Sequence, residues 1–170
     1  TAGGTTSPRG RIAAAHARGD LWMQPVSVQD ERPRSGLFDE AANTQNLRDT
    51  WQVARDGGAD WVLLPTWNDY AEGTAIAPST RHGRALLDLV AYYASWFKDG
   101  RPPQIVREGV YLTHRTQLAG AVPEYAQTTL MSLRGGTPAR DTVEALSFLT
   151  APATVSVTGG GVTTSCTAAA

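Results

Sequence analysis

The sequence predicts an α/β fold over its first region, residues 1–103, followed by antiparallel β structure over residues 104–170. Strand and helix patterns alternate between residues 21 and 100, in the order strand, helix, strand, helix, which is typical of parallel βαβ units. After "RPP" at 101–103, short runs of alternating polar and apolar residues are separated by glycine turns, which favours antiparallel strands. We therefore place a domain boundary near residue 103.

The first two predicted elements are a helix and a strand. A helix is predicted over residues 8–18, because Ser7 suits the N-cap, Pro8 suits the first turn and a glycine follows. A strand is predicted over residues 21–30, because "LWMQPVSVQD" is apolar and β-branched and ends in polar residues. The segment 31–41 contains proline and glycine and is predicted to be a loop.

A helix, a strand and a second helix complete the predicted α/β pattern. Residues 43–56 place Leu47 and Trp51 at helical spacing. Residues 59–66, "ADWVLLPT", are nearly continuous in apolar residues, which predicts a strand buried on both faces of a parallel sheet. Residues 80–100 carry an apolar helical stripe that ends at a glycine.

The second region is predicted to contain antiparallel strands. They fall within residues 104–117, 141–150 and 153–165, where apolar and polar residues alternate.

Composition argues against several functional classes. The chain has 15 Lys and Arg against 16 Asp and Glu, and a formal net charge of -1 does not favour nucleic-acid binding. No uncharged apolar run is long enough to predict a membrane span. Cys166 is the single cysteine, which excludes an internal disulfide, and His16, His82 and His114 are too scattered to predict a metal site. We therefore expect neither a metal nor another cofactor, and the sequence leaves the oligomeric state open.

Polar side chains gather at the ends of both predicted strands. In parallel α/β folds, sites form at the carboxyl ends of strands. The first end carries Gln29, Asp30 and Arg32. The second end carries Trp67, Asn68, Asp69, Tyr70 and Glu72. Asn and Asp often serve only to form a turn, but a turn does not require two acids, an amide and two aromatic residues within six positions.

Two carboxyl groups flanking one bond are what glycosidic cleavage requires. One must be protonated to give a proton to the leaving oxygen, and the other must be ionised to activate water or attack carbon. Asp69 and Glu72 are therefore the candidate catalytic residues. Aromatic faces stack on sugar rings and amides bind hydroxyl groups, so Trp67, Asn68 and Tyr70 are predicted to bind substrate. Gln29, Asp30 and Trp22 are added as substrate-binding candidates because they lie at the two ends of the first predicted strand.

The segment "TWNDYAEGTAIAPS", residues 66–79, resembles the signature of glycoside hydrolase family 71, the α-1,3-glucanases or mutanases, in which Trp-Asn-Asp-Tyr-Gly-Glu is typical. Ala71 replaces the usual glycine. The resemblance covers most of residues 20–117, including "MQPVSVQDERPRSGLFDEAANTQNLRDTW" and "GRPPQIVREGVYLTHRTQ". It implies that residues 1–103 are the C-terminal part of a (β/α)8 TIM barrel, and that residues 104–170 are an antiparallel, β-sandwich-like accessory domain.

The same resemblance implies a secreted hydrolase whose substrate is α-1,3-glucan and which inverts the anomeric centre. The family's two acids correspond to Asp69 and Glu72, with Glu72 as general acid and Asp69 as general base, or the reverse. Because only two or three barrel strands would be present, we expect this chain to be part of a longer enzyme and to be inactive alone.

Two alternative functions remain open. The endo-acting α-mannosidases of glycoside hydrolase family 99 have the related motif Trp-Asn-Glu-Trp-His-Glu-Gly-Thr, and "EGTAIAP" at residues 72–78 fits it, although Asp69 and Tyr70 favour family 71. A non-catalytic carbohydrate-binding protein would need the aromatic residues Trp67 and Tyr70 but not the two acids.

Overall fold

The computed structural model describes residues 7–170, which form three α-helices and nine short β-strands. The helices are α1 (Pro8–His16), α2 (Gln45–Gly57) and α3 (Ala85–Asp99). The strands are β1 (Met23–Pro25), β2 (Glu31–Arg32), β3 (Leu37–Asp39), β4 (Trp61–Leu63), β5 (Gly109–Thr113), β6 (Ser132–Arg134), β7 (Glu144–Phe148), β8 (Ala153–Gly159) and β9 (Val162–Ala168). Two 3₁₀ turns cover Pro33–Ser35 and Tyr70–Glu72.

The three helices lie where the sequence predicts them. Ser7 Oγ accepts a hydrogen bond from the Gly10 amide at 3.0 Å and so caps α1. The next helix, α2, ends at Gly58, whose φ of 71° is in the left-handed region that glycine adopts at little cost. Its Leu47 and Trp51 are each 1% exposed and face the core as predicted.

The predicted fold class, the C-terminal part of a (β/α)8 TIM barrel followed by a β-sandwich-like domain, is wrong. Residues 7–170 contain no closed barrel, since β1 and β4 pair in parallel with each other over three residue pairs and with no further strand. Each strand of a closed barrel has a neighbour on both sides, and this barrel needs eight strands. In the second region, β5 pairs with β7 and β8 with β9, as separate two-stranded antiparallel sheets.

The predicted burial of the strand over residues 59–66 is also wrong. In the register of the parallel pair, Met23 lies opposite Trp61, and Pro25 lies opposite Leu63. Trp61 is 55% exposed and Leu63 is 51% exposed. Alternate residues of a strand point to opposite faces, so one apolar face of this sheet is open to solvent within residues 7–170. An apolar run predicts burial only where another element covers the strand.

The core lies between the other face of this sheet and helices α2 and α3. Its main cluster of buried residues is Val26, Val28, Leu47, Trp51, Ile76, Leu86, Leu89, Val90 and Tyr93. Burying each large apolar side chain stabilises the fold by about 1.5–3 kcal/mol. A smaller cluster of Ile12, Ala54 and Ala59 joins α1 to α2. Ile76 belongs to the main cluster, so the segment after β4 is anchored in the core.

The second region packs against the first, and the division near residue 103 remains a prediction. In one mixed sheet, β3 pairs with β2 in antiparallel fashion and with β6 in parallel. The Phe148 ring of β7 meets the Tyr92 ring of α3 with centroids 4.7 Å apart. Within residues 7–170, no helix is both long and apolar enough to cross a membrane.

Candidate functional site

The segment after β4 forms a loop whose two ends are hydrogen-bonded together. The Thr66 amide donates to the Thr74 carbonyl oxygen at 3.2 Å, and the Ile76 amide donates to the Thr66 carbonyl oxygen at 3.1 Å. The Ala77 amide donates to the Trp67 carbonyl oxygen at 2.8 Å. Because Thr74 to Ala77 are buried, they hold the loop to the core while residues 67–73 project from it.

Both candidate catalytic residues lie on this projecting loop. The Thr66 hydroxyl accepts a hydrogen bond from the Asp69 amide at 3.2 Å. Within residues 7–170, no hydrogen bond or ion pair involves the Asp69 carboxylate. Glu72 ends the 3₁₀ turn Tyr70–Glu72, and its side chain is 37% exposed. Asp69 and Glu72 are therefore two solvent-accessible carboxylates, three residues apart on the same loop.

The Glu72 carboxylate contacts the end of the first predicted strand through Arg32. Arg32 Nη1 donates to Glu72 Oε1 at 3.0 Å. The same guanidinium donates to Asp30, from Nε to Oδ1 at 2.8 Å and from Nη2 to Oδ2 at 3.1 Å. The pKa of Arg32 is raised, first by its hydrogen bond to Asp30 and then by the charges of Asp30 and Glu72. One planar cation thus joins Asp30 and Glu72, two of the predicted site residues.

A second arginine extends this cluster from the region after residue 103. Arg134 on β6 donates to Asp39 from Nε at 2.7 Å and from Nη2 at 2.6 Å. Its Nη2 also donates to Asp30 Oδ2 at 3.3 Å. The hydrogen bond from Arg134 lowers the pKa of Asp39 below its usual value. Asp30 therefore accepts hydrogen bonds from two guanidinium groups that come from different regions of the chain.

The loop packs closely against strand β2 at Gly73. Gly73 has a φ of 64°, and a Cβ built there would lie 2.9 Å from Glu31 Cδ and closer still to Glu31 Cγ. Glu31 forms an ion pair with Arg81, which keeps the Glu31 side chain beside the loop. An alanine at position 73 would therefore be strained by the backbone conformation and would displace the Glu31 side chain.

An open depression of about 670 Å³ lies beside the loop. It is lined by Gln29, Tyr70, Gly73, Ala75 and residues 78–82. Two predicted substrate-binding residues, Gln29 and Tyr70, thus meet at one concave surface. Asp69 and Glu72 do not line this depression, although their neighbours Tyr70 and Gly73 do.

The predicted aromatic and amide residues have different environments. Trp67 is 59% exposed and Tyr70 is 56% exposed, and the Tyr70 hydroxyl donates to the Pro78 carbonyl oxygen at 3.2 Å. Asn68 is exposed, and its backbone carbonyl oxygen accepts a hydrogen bond from the Tyr70 amide at 3.0 Å. These rings can offer a face to a ligand without any rearrangement of the core.

Trp22 is not brought to the loop. It precedes β1, at the opposite end of the strand from Gln29, and packs against the small cluster of Ile12, Ala54 and Ala59. Its indole Nε1 donates to Gln24 Oε1 at 3.1 Å.

The sequence placed Arg32 at the first strand end, two residues after Asp30, but gave it no role in binding or catalysis. Glu31, Arg81 and Arg134 were not predicted to lie near the site. No comparable signal existed for Arg134, because the sequence pattern did not reveal β6.

Two further observations concern other parts of the described chain. A second depression, of about 620 Å³, lies at the carboxyl ends of α2 and α3, where the Arg55 guanidinium stacks over the Trp96 ring at 3.6 Å. In the described residues, no group of three or more His, Cys, Asp or Glu side chains is placed to hold a metal ion.

Comparisons with known proteins leave the family of this chain open. No protein-family model matches the sequence, and no curated protein sequence matches it. Among solved structures, the chain is similar to a family 99 endo-α-mannosidase from Bacteroides thetaiotaomicron, with 18% sequence identity and a TM-score of 0.45. The match covers 54% of this chain and 34% of the mannosidase chain. This weak likeness is to a glycoside hydrolase, and membership of family 71 is not shown.

Proposed function

We propose that residues 66–79 form the catalytic loop of a glycoside hydrolase that acts on an α-linked polysaccharide. The observation that carries this proposal is the composition and exposure of one anchored loop. Two carboxylates, Asp69 and Glu72, alternate on it with two aromatic rings, Trp67 and Tyr70, each more than half exposed. All four side chains belong to six consecutive residues, 67–72.

The reaction we propose needs only these two carboxyl groups and water. One protonates the oxygen that leaves, and the other removes a proton from the water that attacks the anomeric carbon. No cofactor is required for either step. Because the substrate is a polymer too large to enter a cell, we propose that the enzyme acts outside the cell.

The two carboxylates differ in their contacts. Glu72 is ion-paired with Arg32, whereas the Asp69 carboxylate has no hydrogen bond or ion pair within residues 7–170. Both orders of general acid and general base that the sequence left open stay part of the proposal. The ion pair between Arg32 and Glu72 is partly exposed and therefore weakly stabilising, so it does not fix either order.

Two substrates are distinguished by the loop residues. The run Trp67 to Tyr70 resembles the family 71 signature and favours α-1,3-glucan as the substrate. The run Glu72 to Thr74 fits the family 99 motif and makes α-mannoside cleavage the second candidate. Product analysis after incubation with α-1,3-glucan and with α-mannan separates them, because each enzyme type releases oligosaccharides from one polymer alone.

The test of the proposed function compares hydrolysis with binding. In the full-length enzyme, we expect Glu72→Gln and Asp69→Asn each to lower the hydrolysis rate by roughly 10²–10⁴-fold, the usual contribution of a general acid or base. Binding of the same polysaccharide should be retained in both variants. Glu124→Gln, on the exposed surface, is the matched control and should leave the rate unchanged. Full activity in either carboxyl variant would show that its carboxyl group has no catalytic role.

Wild-type behaviour separates the proposal from the binding-protein alternative. In the full-length protein, binding without any hydrolysis would identify a non-catalytic carbohydrate-binding protein, and the absence of both would reject a carbohydrate site here. Trp67→Ala should weaken binding about tenfold if the ring stacks on a sugar, a loss of about 1.4 kcal/mol. Trp61→Ala is its control, because Trp61 is similarly exposed but lies on β4 outside the loop.

A further inference from the structure

We infer that the depression lined by Gln29, Tyr70 and residues 78–82 is a second sugar subsite, which binds the part of a neutral α-linked polymer next to the cleaved bond. The inference rests on the proposed function and adds the path of the polymer to it. Its volume of about 670 Å³ is within the range of roughly 300–1,000 Å³ that small-ligand sites occupy.

The position of the depression makes it an extension of the loop. Tyr70 and Gly73, which flank the Ala71–Glu72 pair in sequence, both line it, whereas Asp69 and Glu72 do not. A sugar in this depression would therefore contact the lining residues and not the two carboxyl groups. A polymer that passes over Tyr70 would place one residue at the carboxylates and a neighbouring residue in the depression.

The lining favours an uncharged, hydroxyl-rich ligand. Its polar groups include the Gln29 amide, the Ser79 and Thr80 hydroxyls and the His82 ring, all of which can exchange hydrogen bonds with sugar hydroxyls. Arg81 is the lining residue that always carries a positive charge, and it is ion-paired with Glu31. The charge of Arg81 is thereby compensated, which leaves little attraction for an anion.

The His82 segment is held in place before any ligand arrives. The Ser79 hydroxyl accepts a hydrogen bond from the His82 amide at 3.1 Å, and Ser79 and Gly83 exchange backbone hydrogen bonds at 3.2 and 2.8 Å. Burial, followed by the charge of Arg81, lowers the pKa of His82. A neutral imidazole has one donor and one acceptor, which suits a hydroxyl group that also both donates and accepts.

The test is the dependence of affinity on oligosaccharide length. The protein is titrated calorimetrically with α-1,3-linked glucose oligosaccharides and, in parallel, with α-linked mannose oligosaccharides. In one of the two series, the tetrasaccharide should bind about tenfold more tightly than the disaccharide. This difference is the effect of one or two added hydrogen bonds. We expect His82→Ala to remove most of this difference. His16→Ala is the control, because His16 is bound to Asp60 and does not line the depression.

Failure of the subsite and failure of the proposed function give different results. Wild-type protein that binds no oligosaccharide of either series rejects the proposed function and the subsite with it. Equal affinity for disaccharide and tetrasaccharide rejects the subsite alone. Thr80→Val, on an exposed position, removes a lining hydroxyl with little risk to folding, and it is used if His82→Ala unfolds the protein. In that case, the inference is overturned if Thr80→Val shows the same difference in affinity between tetrasaccharide and disaccharide as the wild-type protein.

Discussion

Arg32 holds the carboxylates of Asp30 and Glu72 to one guanidinium group, with Nη1 donating to Glu72 Oε1 at 3.0 Å and Nε to Asp30 Oδ1 at 2.8 Å. The planar guanidinium fixes the direction of several hydrogen bonds at once, which an ammonium group would not do. Asp30 and Glu72 come from the two strand ends that the sequence marked separately. The Arg32 contact therefore fixes the Glu72 carboxylate relative to Asp30, which neither strand end does by itself.

Substitution of Gly73 tests how closely the loop packs against β2. Gly19→Ala should cost about 1 kcal/mol of unfolding free energy, because Gly19 has a φ of 81° and nothing within 4 Å of an added Cβ. Gly73→Ala should cost roughly 2–3 kcal/mol, because its Cβ also overlaps Glu31. Urea denaturation of both variants measures the difference.

A background substitution isolates the contact with Glu31. In a Glu31→Ala protein, the cost of Gly73→Ala should fall to the level of Gly19→Ala, because the overlapping Cγ is gone. Equal costs for the two glycine variants in the wild-type background would refute the close packing.

Glu40 should contribute more to stability than its neighbour Asp39. The Glu40 side chain is 3% exposed, forms an ion pair with Arg115, and accepts hydrogen bonds from the backbone amides of Ala42 at 2.6 Å and Arg140 at 2.9 Å. Removing one partner of a buried pair leaves the other charge uncompensated, so Glu40→Ala should cost about 3–5 kcal/mol. Chemical denaturation monitored by fluorescence measures this cost.

Asp39 supplies the control for Glu40, because its side chain is 42% exposed. Asp39→Ala should cost no more than about 1 kcal/mol, as exposed ion pairs do. A Glu40 variant as stable as the Asp39 variant would show that the contacts with Arg115 and Arg140, which connect the two regions, do not stabilise the fold.

His82 should make stability depend on pH near neutrality. Its pKa in the folded protein is lowered by burial and by Arg81, while the charge of Glu31 acts in the opposite direction. The unfolded chain therefore binds a proton at higher pH than the folded one. The His82 contribution is fully present above the unfolded pKa of about 6.5 and is lost as pH falls through the folded pKa.

The measurement is the unfolding free energy between pH 7.5 and pH 5. The His82-dependent part should decrease with falling pH by at most about 1.4 kcal/mol per pH unit, the limit for one proton. His82→Gln should remove that part of the slope. An unchanged slope in His82→Gln would show that His82 titrates alike in the folded and unfolded states.

The parts of the fold that the sequence predicted are those that depend on nearby residues. Ser7 and Pro8 mark the start of α1, and the spacing of Leu47 and Trp51 marks the buried face of α2. Caps and helical periodicity act within a few residues, so they can be read without knowing the rest of the structure. The barrel was predicted from a family resemblance, and the strands of residues 7–170 do not pair into a barrel.

The short strands β2, β3 and β6 were not predicted, because they depend on pairing with one another and not on a local pattern. Two or three residues carry too little alternation to indicate a strand. These strands exist because Glu31 lies opposite Phe38 and Phe38 lies opposite Leu133, and the second of these pairs joins residues more than half the chain length apart.

By itself, the sequence determined the helices and the placing of Asp69, Glu72, Trp67 and Tyr70 on one loop, because neighbours in the chain stay neighbours in space. Only the tertiary structure decided which cations meet those acids and which apolar strand residues stay exposed. Arg134 reaches Asp30 and Asp39 because β6 pairs with β3, and Trp61 is exposed because nothing in residues 7–170 covers its face of the sheet. Such contacts depend on how distant segments pack, and no local pattern of residue types encodes them.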